Sequence, residues 1–175
     1  DDVAELVASW PDEACFELVI VDQEGTLSPA IAERRENVRL VAPGANLGFG
    51  GGSNLAAREA RADLLLLLNP DARPEPGALE ALVAGFAEWP EAAGLVPRLV
   101  GFDGRPQSDW QLRKLPTPLS LLAHALFWNP SGGQAEPVAG TSIEQPAAAA
   151  LALRRAVFEA IGGFDEAFFP AWFED

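Results

Sequence analysis

The fold is decided by a short apolar run that ends in polar residues, LLLLLNPD at residues 64–71. Five leucines between polar stops are too few for a typical helix, so they predict a buried strand. Two similar strands come earlier, over residues 16–21 and 38–42, and a fourth follows over 94–99. Helical patterns separate these strands, with apolar residues spaced by three and four over 79–86, for example. The alternation predicts an α/β fold with a mostly parallel sheet flanked by helices.

The composition and charge indicate a globular domain and argue against a nucleic-acid-binding protein. The chain has 175 residues, of which 49% are hydrophobic, as expected of one ordinary globular domain. The net charge is −14, which repels phosphate backbones and excludes nucleic acid as an expected partner. Cys15 is the lone cysteine, so an internal disulfide is impossible and a reducing compartment fits. Since the sequence holds no methionine, we expect it to be a piece of a longer chain.

The last third of the chain follows a different pattern. Residues 101–145 are rich in proline, glycine and polar residues, which predicts a long binding loop or lid with one helix. Residues 147–153 favour a helix by propensity. The apolar residues between 153 and 161 predict a further helix, which ends at Gly162 and Gly163. We expect no second domain.

Polar residues follow three of the predicted strands where each strand ends. Asp22 follows the first, the loop over residues 46–54 the second, and Asn69 to Asp71 the third. Taken alone, each is typical of a strand terminator or a helix cap. Ligands bind beyond the carboxyl ends of the strands in open parallel sheets, so the three together favour a ligand site.

The glycine run over residues 48–54 is predicted as a turn that leads into a helix over 55–62. Gly48 and Gly50 fit the first two positions of a dinucleotide-binding fingerprint, but Ser53 stands at the third. That mismatch disfavours an NAD-dependent oxidoreductase. The other interpretation is a loop that passes close to a ligand or to another backbone, where side chains would clash.

Carboxylates at two places suggest chemistry. Asp71 suits a hard cation such as Mg2+ or Mn2+, although it could also favour the start of the next helix. Near the end of the chain, aromatic residues over 168–173 lie beside Glu174 and Asp175. Aromatic rings beside carboxylates are typical of carbohydrate sites, where a carboxylate can accept the proton of an attacking hydroxyl. Such aromatics are as often part of the core.

Together these segments resemble family 2 glycosyltransferases, and the nearest members are bacterial and rhamnosyltransferase-like. The resemblance covers nearly the whole chain and follows the order of the family's motifs. It rests on Val21-Asp22, the segment from Asn46 to Asn54, Leu68 to Asp71, and Gly163 to Glu166 with Phe168-Phe169 and Glu174-Asp175.

The resemblance implies a GT-A fold, a metal-dependent donor site and inverting transfer of a sugar from a nucleoside diphosphate. Asp22 matches the residue that contacts the nucleobase. Asp71 matches the metal-facing carboxylate, while Asp175, preceded by Glu174, matches the general base. The remaining matches line the donor, and they are Asn46, Gly48, Asn54 and Asn69.

The resemblance also implies what the sequence lacks. A first strand should precede Asp1, so the sheet is expected to lack its central strand and the domain to be cut at both ends. Residues 1–99 would then be the nucleotide-sugar-binding half and residues 100–175 the acceptor-side half. The family places a strand near residues 147–153, and we favour that strand over the helical propensity.

The implied partners follow from the same family. The donor would be dTDP-rhamnose or a UDP-sugar, and the acceptor a glycan or lipid-linked glycan of a bacterial cell wall or other polysaccharide. The implied location is the cytoplasm, at the inner face of the membrane, with peripheral attachment through segments beyond the given sequence. The alternative is an inactive nucleotide-sugar-binding or regulatory module of the same fold, against which the intact Asp71, Glu174 and Asp175 argue.

Overall fold

The computed structural model describes residues 2–33, 35–113, 117–119, 122 and 138–170. These residues fall into two compact units. The first comprises the described residues of Asp1–Pro97 and Ala148–Asp175, and the second those of Arg98–Ala147. The donor and acceptor roles expected for residues 1–99 and 100–175 stay predictions.

The first unit alternates helices and strands. Its helices are α1 (Asp2–Ser9), α2 (Gly48–Glu59), α3 (Ala78–Glu88) and a short one at Arg155–Ala160, called α5 below. Its strands are β1 (Leu18–Val21), β2 (Val38–Val41), β3 (Leu64–Leu68), β4 (Gly94–Leu95) and, after the second unit, β7 (Ala150–Arg154).

The second unit contains residues 101–145, the long excursion between β4 and β7 that was predicted as a binding loop or lid. Its described elements are α4 (Ser108–Gln111), β5 (Leu112–Arg113) and β6 (Gln145–Pro146), and β5 pairs antiparallel with β6. Part of the loop or lid predicted over residues 101–145, with its one helix, lies outside the described residues. Within the described residues, no helix of either unit is both long and apolar enough to cross a membrane.

The strands of the first unit pair in two groups. β1 and β2 are parallel neighbours, with Leu18 opposite Val38. β7 pairs antiparallel with both β3 and β4, so β3 and β4 run in one direction with β7 between them. The predicted α/β architecture with parallel strands and flanking helices is confirmed, with one reversed strand inserted.

β7 settles the conflict over residues 147–153 in favour of a strand. Leu64 to Leu68 lie opposite Arg154 to Ala150 along its length, and Asn69 N–H donates to the Ala149 carbonyl at 2.9 Å. Ala150 and Ala152 are at most 3% exposed. Helical propensity is a weak preference that tertiary pairing overrides, and small side chains suit a strand covered on both faces.

The five leucines of β3 serve two faces of the sheet. Leu66 and Leu68 pack against a cluster formed by Leu6 of α1, Trp10 just after that helix and Leu79 of α3. Leu65 packs on the opposite side, in the cluster that contains residues of α2 and α5. Successive side chains of a strand point to opposite faces, so a strand covered by helices on both sides is apolar at every position.

Three arginines cap the carboxyl ends of the long helices. Each donates to one carbonyl oxygen in the last turn of a helix and to one in the residues just after it. Arg35 does so at α1, at 2.6 and 2.7 Å, Arg155 at α2, at 2.8 and 2.7 Å, and Arg154 at α3, both at 2.9 Å. These guanidinium groups satisfy terminal carbonyls and complement the negative end of each helix dipole.

Three sequence expectations need correction. α2 begins at Gly48, so the glycine run is the start of the helix and not a turn before it. Ser28 before Pro29 is typical of a helix start and predicts a short helix to about residue 36, but the structure has a single 3-10 turn there, Pro29–Ile31. β4 ends at Leu95, because Pro97 follows closely and has no N–H for a ladder.

The cap at α2 predicts the effect of replacing Arg155, whose side chain is only 17% exposed. Arg155→Met leaves two carbonyls without their charged donor, which should lower the free energy of unfolding by about 2–4 kcal/mol. Arg155→Lys should recover part of this loss, because an ammonium keeps the charge but lacks the planar fork. Urea unfolding followed by circular dichroism measures both. Equal midpoints for the Met variant and the unmodified protein would contradict the capping role.

Candidate functional site

A cavity of about 700 Å3 lies in the first unit and is lined by both β1 and β3. Most of its wall is apolar, formed by the strand side chains and by residues of the three long helices. Its polar lining comes mainly from residues that follow the strands, including Asp22, Gln23, Asn46 and Asn69. The cavity thus joins an apolar interior to polar groups at the carboxyl ends of the strands, where ligands of such sheets bind.

The structure brings together some of the residues expected to bind the donor. Asp22, Asn46 and Asn69 all line this cavity, one from each of the three strand ends. Gly48, Asn54 and Asp71 are not among its lining residues. The two expected catalytic residues, Glu174 and Asp175, lie outside the described residues. The role of each stays a prediction.

Both strands that line the cavity have an open edge. In β1, Leu18 and Asp22 donate their N–H groups toward β2, so Val19 and Val21 direct theirs away from it. In β3 the alternate residues, beginning at Leu64, likewise direct their backbone groups away from β7. Neither edge has a strand partner in the part of the chain that the structure describes. Whether a further strand fills the space between these edges stays a prediction.

Asp22 is 8% exposed and holds the turn that follows β1. Its Oδ2 accepts the Leu27 N–H at 2.8 Å, and its Oδ1 accepts the Gly25 N–H at 2.9 Å. These bonds, that of Leu27 foremost, lower the pKa of Asp22 below its usual 3.8 although burial opposes them. A carboxylate can accept about four hydrogen bonds, so the ionised group retains capacity for an N–H of a ligand.

Gln23 is a site residue that sequence reasoning did not single out as a contact. Its Oε1 accepts the Leu47 N–H at 2.6 Å, which ties the end of β1 to the start of α2. A Cβ on Gly52 would lie 2.9 Å from the Gln23 amide nitrogen. A polar residue after a strand carries no signal of such a long-range partner, so only the fold reveals it.

The glycines of α2 allow another part of the chain to come close. Gly48 has a φ of 71°, and a Cβ there would lie 2.8 Å from both the Phe169 ring and the Pro170 carbonyl oxygen. The first N–H groups of the helix are already bound, since Phe49 donates to the Pro170 carbonyl and Gly48 to the Asn46 side chain, both at 2.9 Å. The interpretation that the run passes close to another backbone is the one these contacts support.

Asp71 is the candidate metal ligand. It is exposed and follows Asn69 and Pro70, which line the cavity. Its oxygens are the donor type that Mg2+ and Mn2+ prefer. Among the described residues no group of three His, Cys, Asp or Glu could hold a metal ion. Asp71 therefore fits such a cation only if the phosphate oxygens of a ligand complete its coordination.

Comparison with known proteins places these features in a family. Residues 3–162 match the family described as glycosyl transferase family 2. The N-acetylglucosaminyl-diphospho-decaprenol L-rhamnosyltransferase of Mycobacterium tuberculosis is 30% identical over 166 residues, which is 83% of this chain and 53% of the relative. The O-antigen biosynthesis protein RfbC of Myxococcus xanthus is 32% identical over 134 residues, 66% of this chain and 9% of the relative.

A solved structure supports the fold. The chain superposes on the crystal structure of Staphylococcus aureus TarS 1-349 with a TM-score of 0.59 and 20% identity, covering 94% of this chain and 48% of that one. At this identity the likeness concerns the fold alone. The chain spans about half the length of the mycobacterial relative, 53%.

The bonds to Asp22 predict how stability depends on acid. A carboxyl group whose pKa is lower in the folded state stabilises the fold fully above its unfolded value near 3.8, and the contribution is lost as the pH falls through the folded value. Asp22→Asn should therefore lower stability at neutral pH and flatten its decline below about pH 4. Urea midpoints measured between neutral pH and pH 3 test this. Parallel pH profiles for variant and unmodified protein would contradict it.

Proposed function

Because the chain belongs to glycosyl transferase family 2, we propose that it transfers a sugar from a nucleoside diphosphate donor with inversion at the anomeric carbon. The main support for the proposal is the cavity lined by β1 and β3. Its polar lining includes one residue from each of three strand ends, namely Asp22, Asn46 and Asn69. In this proposal Asp22 accepts an N–H of the nucleobase. Asn46 and Asn69 contribute polar groups to the ribose and the diphosphate.

The proposed donor is dTDP-rhamnose, with a UDP-sugar as the second candidate. The rhamnosyl name of the mycobacterial relative supports the first. The proposed acceptor is a glycan or a lipid-linked glycan of polysaccharide biosynthesis, which the diphospho-decaprenol in the same name supports. A lipid-linked acceptor would put the reaction in the cytoplasm at the inner face of the membrane.

The proposed reaction uses the carboxylates at the end of the chain. The acceptor hydroxyl oxygen bonds to the anomeric carbon from the side opposite the diphosphate. The bond to the diphosphate oxygen breaks, and the pair of electrons leaves with that oxygen. Asp175 takes the hydroxyl proton, with Glu174 beside it. Holding donor, acceptor and base together would supply much of the acceleration.

A divalent cation completes the proposed donor site. Asp71 would hold Mg2+ or Mn2+ together with phosphate oxygens of the donor, and the cation would stabilise the negative charge on the leaving diphosphate. Asn69, two residues before Asp71, would offer a neutral amide oxygen as a further ligand of the cation. A single protein carboxylate implies that the cation and the nucleotide bind together, each weakly without the other.

Calorimetric titration of dTDP, UDP, GDP and NAD, each with and without Mn2+, tests the proposal. We expect one nucleoside diphosphate, dTDP foremost, to bind with Mn2+ and to bind at least about tenfold more weakly without it. Asp71→Asn should remove the effect of Mn2+. Asp12→Asn is the matched control, because it removes the same charge from an exposed residue that does not line the cavity.

Three other results of these experiments would change the proposed function. Tight binding of NAD would favour an oxidoreductase and contradict the proposal. A folded protein that binds no nucleotide would also contradict it. If a nucleoside diphosphate binds but the protein turns over no nucleotide sugar, an inactive module of the same fold is favoured.

A further inference from the structure

Asn54 is buried, yet its amide is directed at a distant part of the chain. It is 6% exposed and belongs to α2. Its Oδ1 accepts the Phe164 N–H at 2.9 Å, and its Nδ2 donates to the Phe164 carbonyl at 2.9 Å. The same Nδ2 donates to Glu166 Oε1 at 3.0 Å. One side chain thus binds both backbone groups of a residue 110 positions away, as a neighbouring strand would.

Phe164 is held by its ring as well. Its ring centroid lies 5.7 Å from that of Phe49, on α2, and 5.5 Å from that of Phe158, on α5. Aromatic pairs at these distances add stabilisation beyond the area they bury. The residue therefore has one position relative to α2, which the amide of Asn54 and two rings define.

The residues after Phe164 continue along the start of α2. The Glu166 carboxyl carbon lies 3.7 Å from the place a Cβ would take on Gly51. Pro170 accepts the Phe49 N–H. A negative charge and a carbonyl oxygen near the first turn of a helix are favourable, since the helix dipole is positive there. The segment 163–170, called the docked segment below, is thus attached to α2 at both of its ends.

We propose that Asn54 is a positioning residue of the acceptor side rather than a ligand of the donor. It holds the docked segment, and the docked segment ends four residues before Glu174, the first of the two carboxylates assigned to catalysis. The catalytic part of this inference rests on the proposed function. The glycine run and the Gly163 to Glu166 motif then form one contact, through a segment that in sequence leads directly to the carboxylates assigned to catalysis.

The isosteric variant Asn54→Asp isolates the role. It still accepts the Phe164 N–H, but its second oxygen faces the Phe164 carbonyl and the Glu166 carboxylate, which repel it. We expect the Phe164 amide to exchange its hydrogen at least about tenfold faster. We also expect kcat for hydrolysis of dTDP-rhamnose, with water as the acceptor, to fall about 10- to 100-fold. The Kd for dTDP with Mn2+ should stay within about twofold.

Combining this change with Glu166→Gln supplies a rescue. The glutamine amide can donate to the new carboxylate, so the double variant should recover part of the exchange protection and part of kcat. Glu166→Gln alone is the control for the loss of that charge. A merely structural role would lower stability without separating kcat from the Kd of dTDP and without rescue by the second change.

Gly163 and Gly162 provide a matched pair. Both have positive φ, 76° and 86°, so alanine strains the backbone at each. A Cβ on Gly163 would lie 2.4 Å from Asn54 Oδ1, whereas a Cβ on Gly162 meets nothing within 4 Å. Gly163→Ala should therefore reproduce the exchange and kcat changes of Asn54→Asp, and Gly162→Ala should not.

Two results would overturn the inference. Loss of dTDP affinity in parallel with kcat in Asn54→Asp would make Asn54 a donor ligand. Unchanged exchange at Phe164 in that variant would remove the positioning role. If the unmodified protein binds no nucleotide, the proposed function fails, and the exchange at Phe164 alone decides whether Asn54 holds the docked segment.

Discussion

The insertion of β7 between β3 and β4 is the constraint on which the rest of the first unit depends. Among the described residues, β7 is the strand that pairs with β3. It therefore fixes the end of β3, which Asn69 follows. Arg154 and Arg155 end this strand and begin α5, and they bind the ends of α3 and α2. A strand that returns after a long excursion thereby joins the sheet to helices on both of its faces.

The same return brings two distant motifs together. α5 follows β7 directly and leads into the docked segment, which Asn54 and the glycines of α2 receive. Glycine has a low helical propensity, so several glycines at the start of a helix need a compensating reason. The reason here is close packing, because a Cβ on Gly48 would overlap the docked segment and one on Gly52 would lie 2.9 Å from the Gln23 amide nitrogen. A run that fits part of a dinucleotide-binding fingerprint is thus packed against other parts of its own chain.

The sequence allowed prediction of those features that depend on local patterns. The leucine run, the β-branched strands and the spacing of α3 identified the elements, and polar strand ends identified the cavity residues Asp22, Asn46 and Asn69. What could not be predicted from the residues alone depends on contacts between distant residues. Residues 150–154 are a strand because β3 and β4 pair with them, against their helical propensity. Gln23 and Asn54 acquire their partners only when the ends of β1 and α5 come near α2.

In the proposed function the polar end of the cavity binds a nucleotide sugar, and Asp175 is the base that activates the acceptor. The cavity is lined by ionised Asp22, and the exposed Asp71 follows two of its lining residues. This arrangement suits a donor that contains both a nucleobase and a diphosphate. The most direct test is to incubate the protein with dTDP-rhamnose and Mn2+ and to follow the released dTDP and the anomeric configuration of the new sugar product by NMR. The account predicts dTDP release with a product of the opposite anomeric configuration to the donor. Retention of configuration, or no turnover of any nucleotide sugar by protein that binds dTDP, would contradict it.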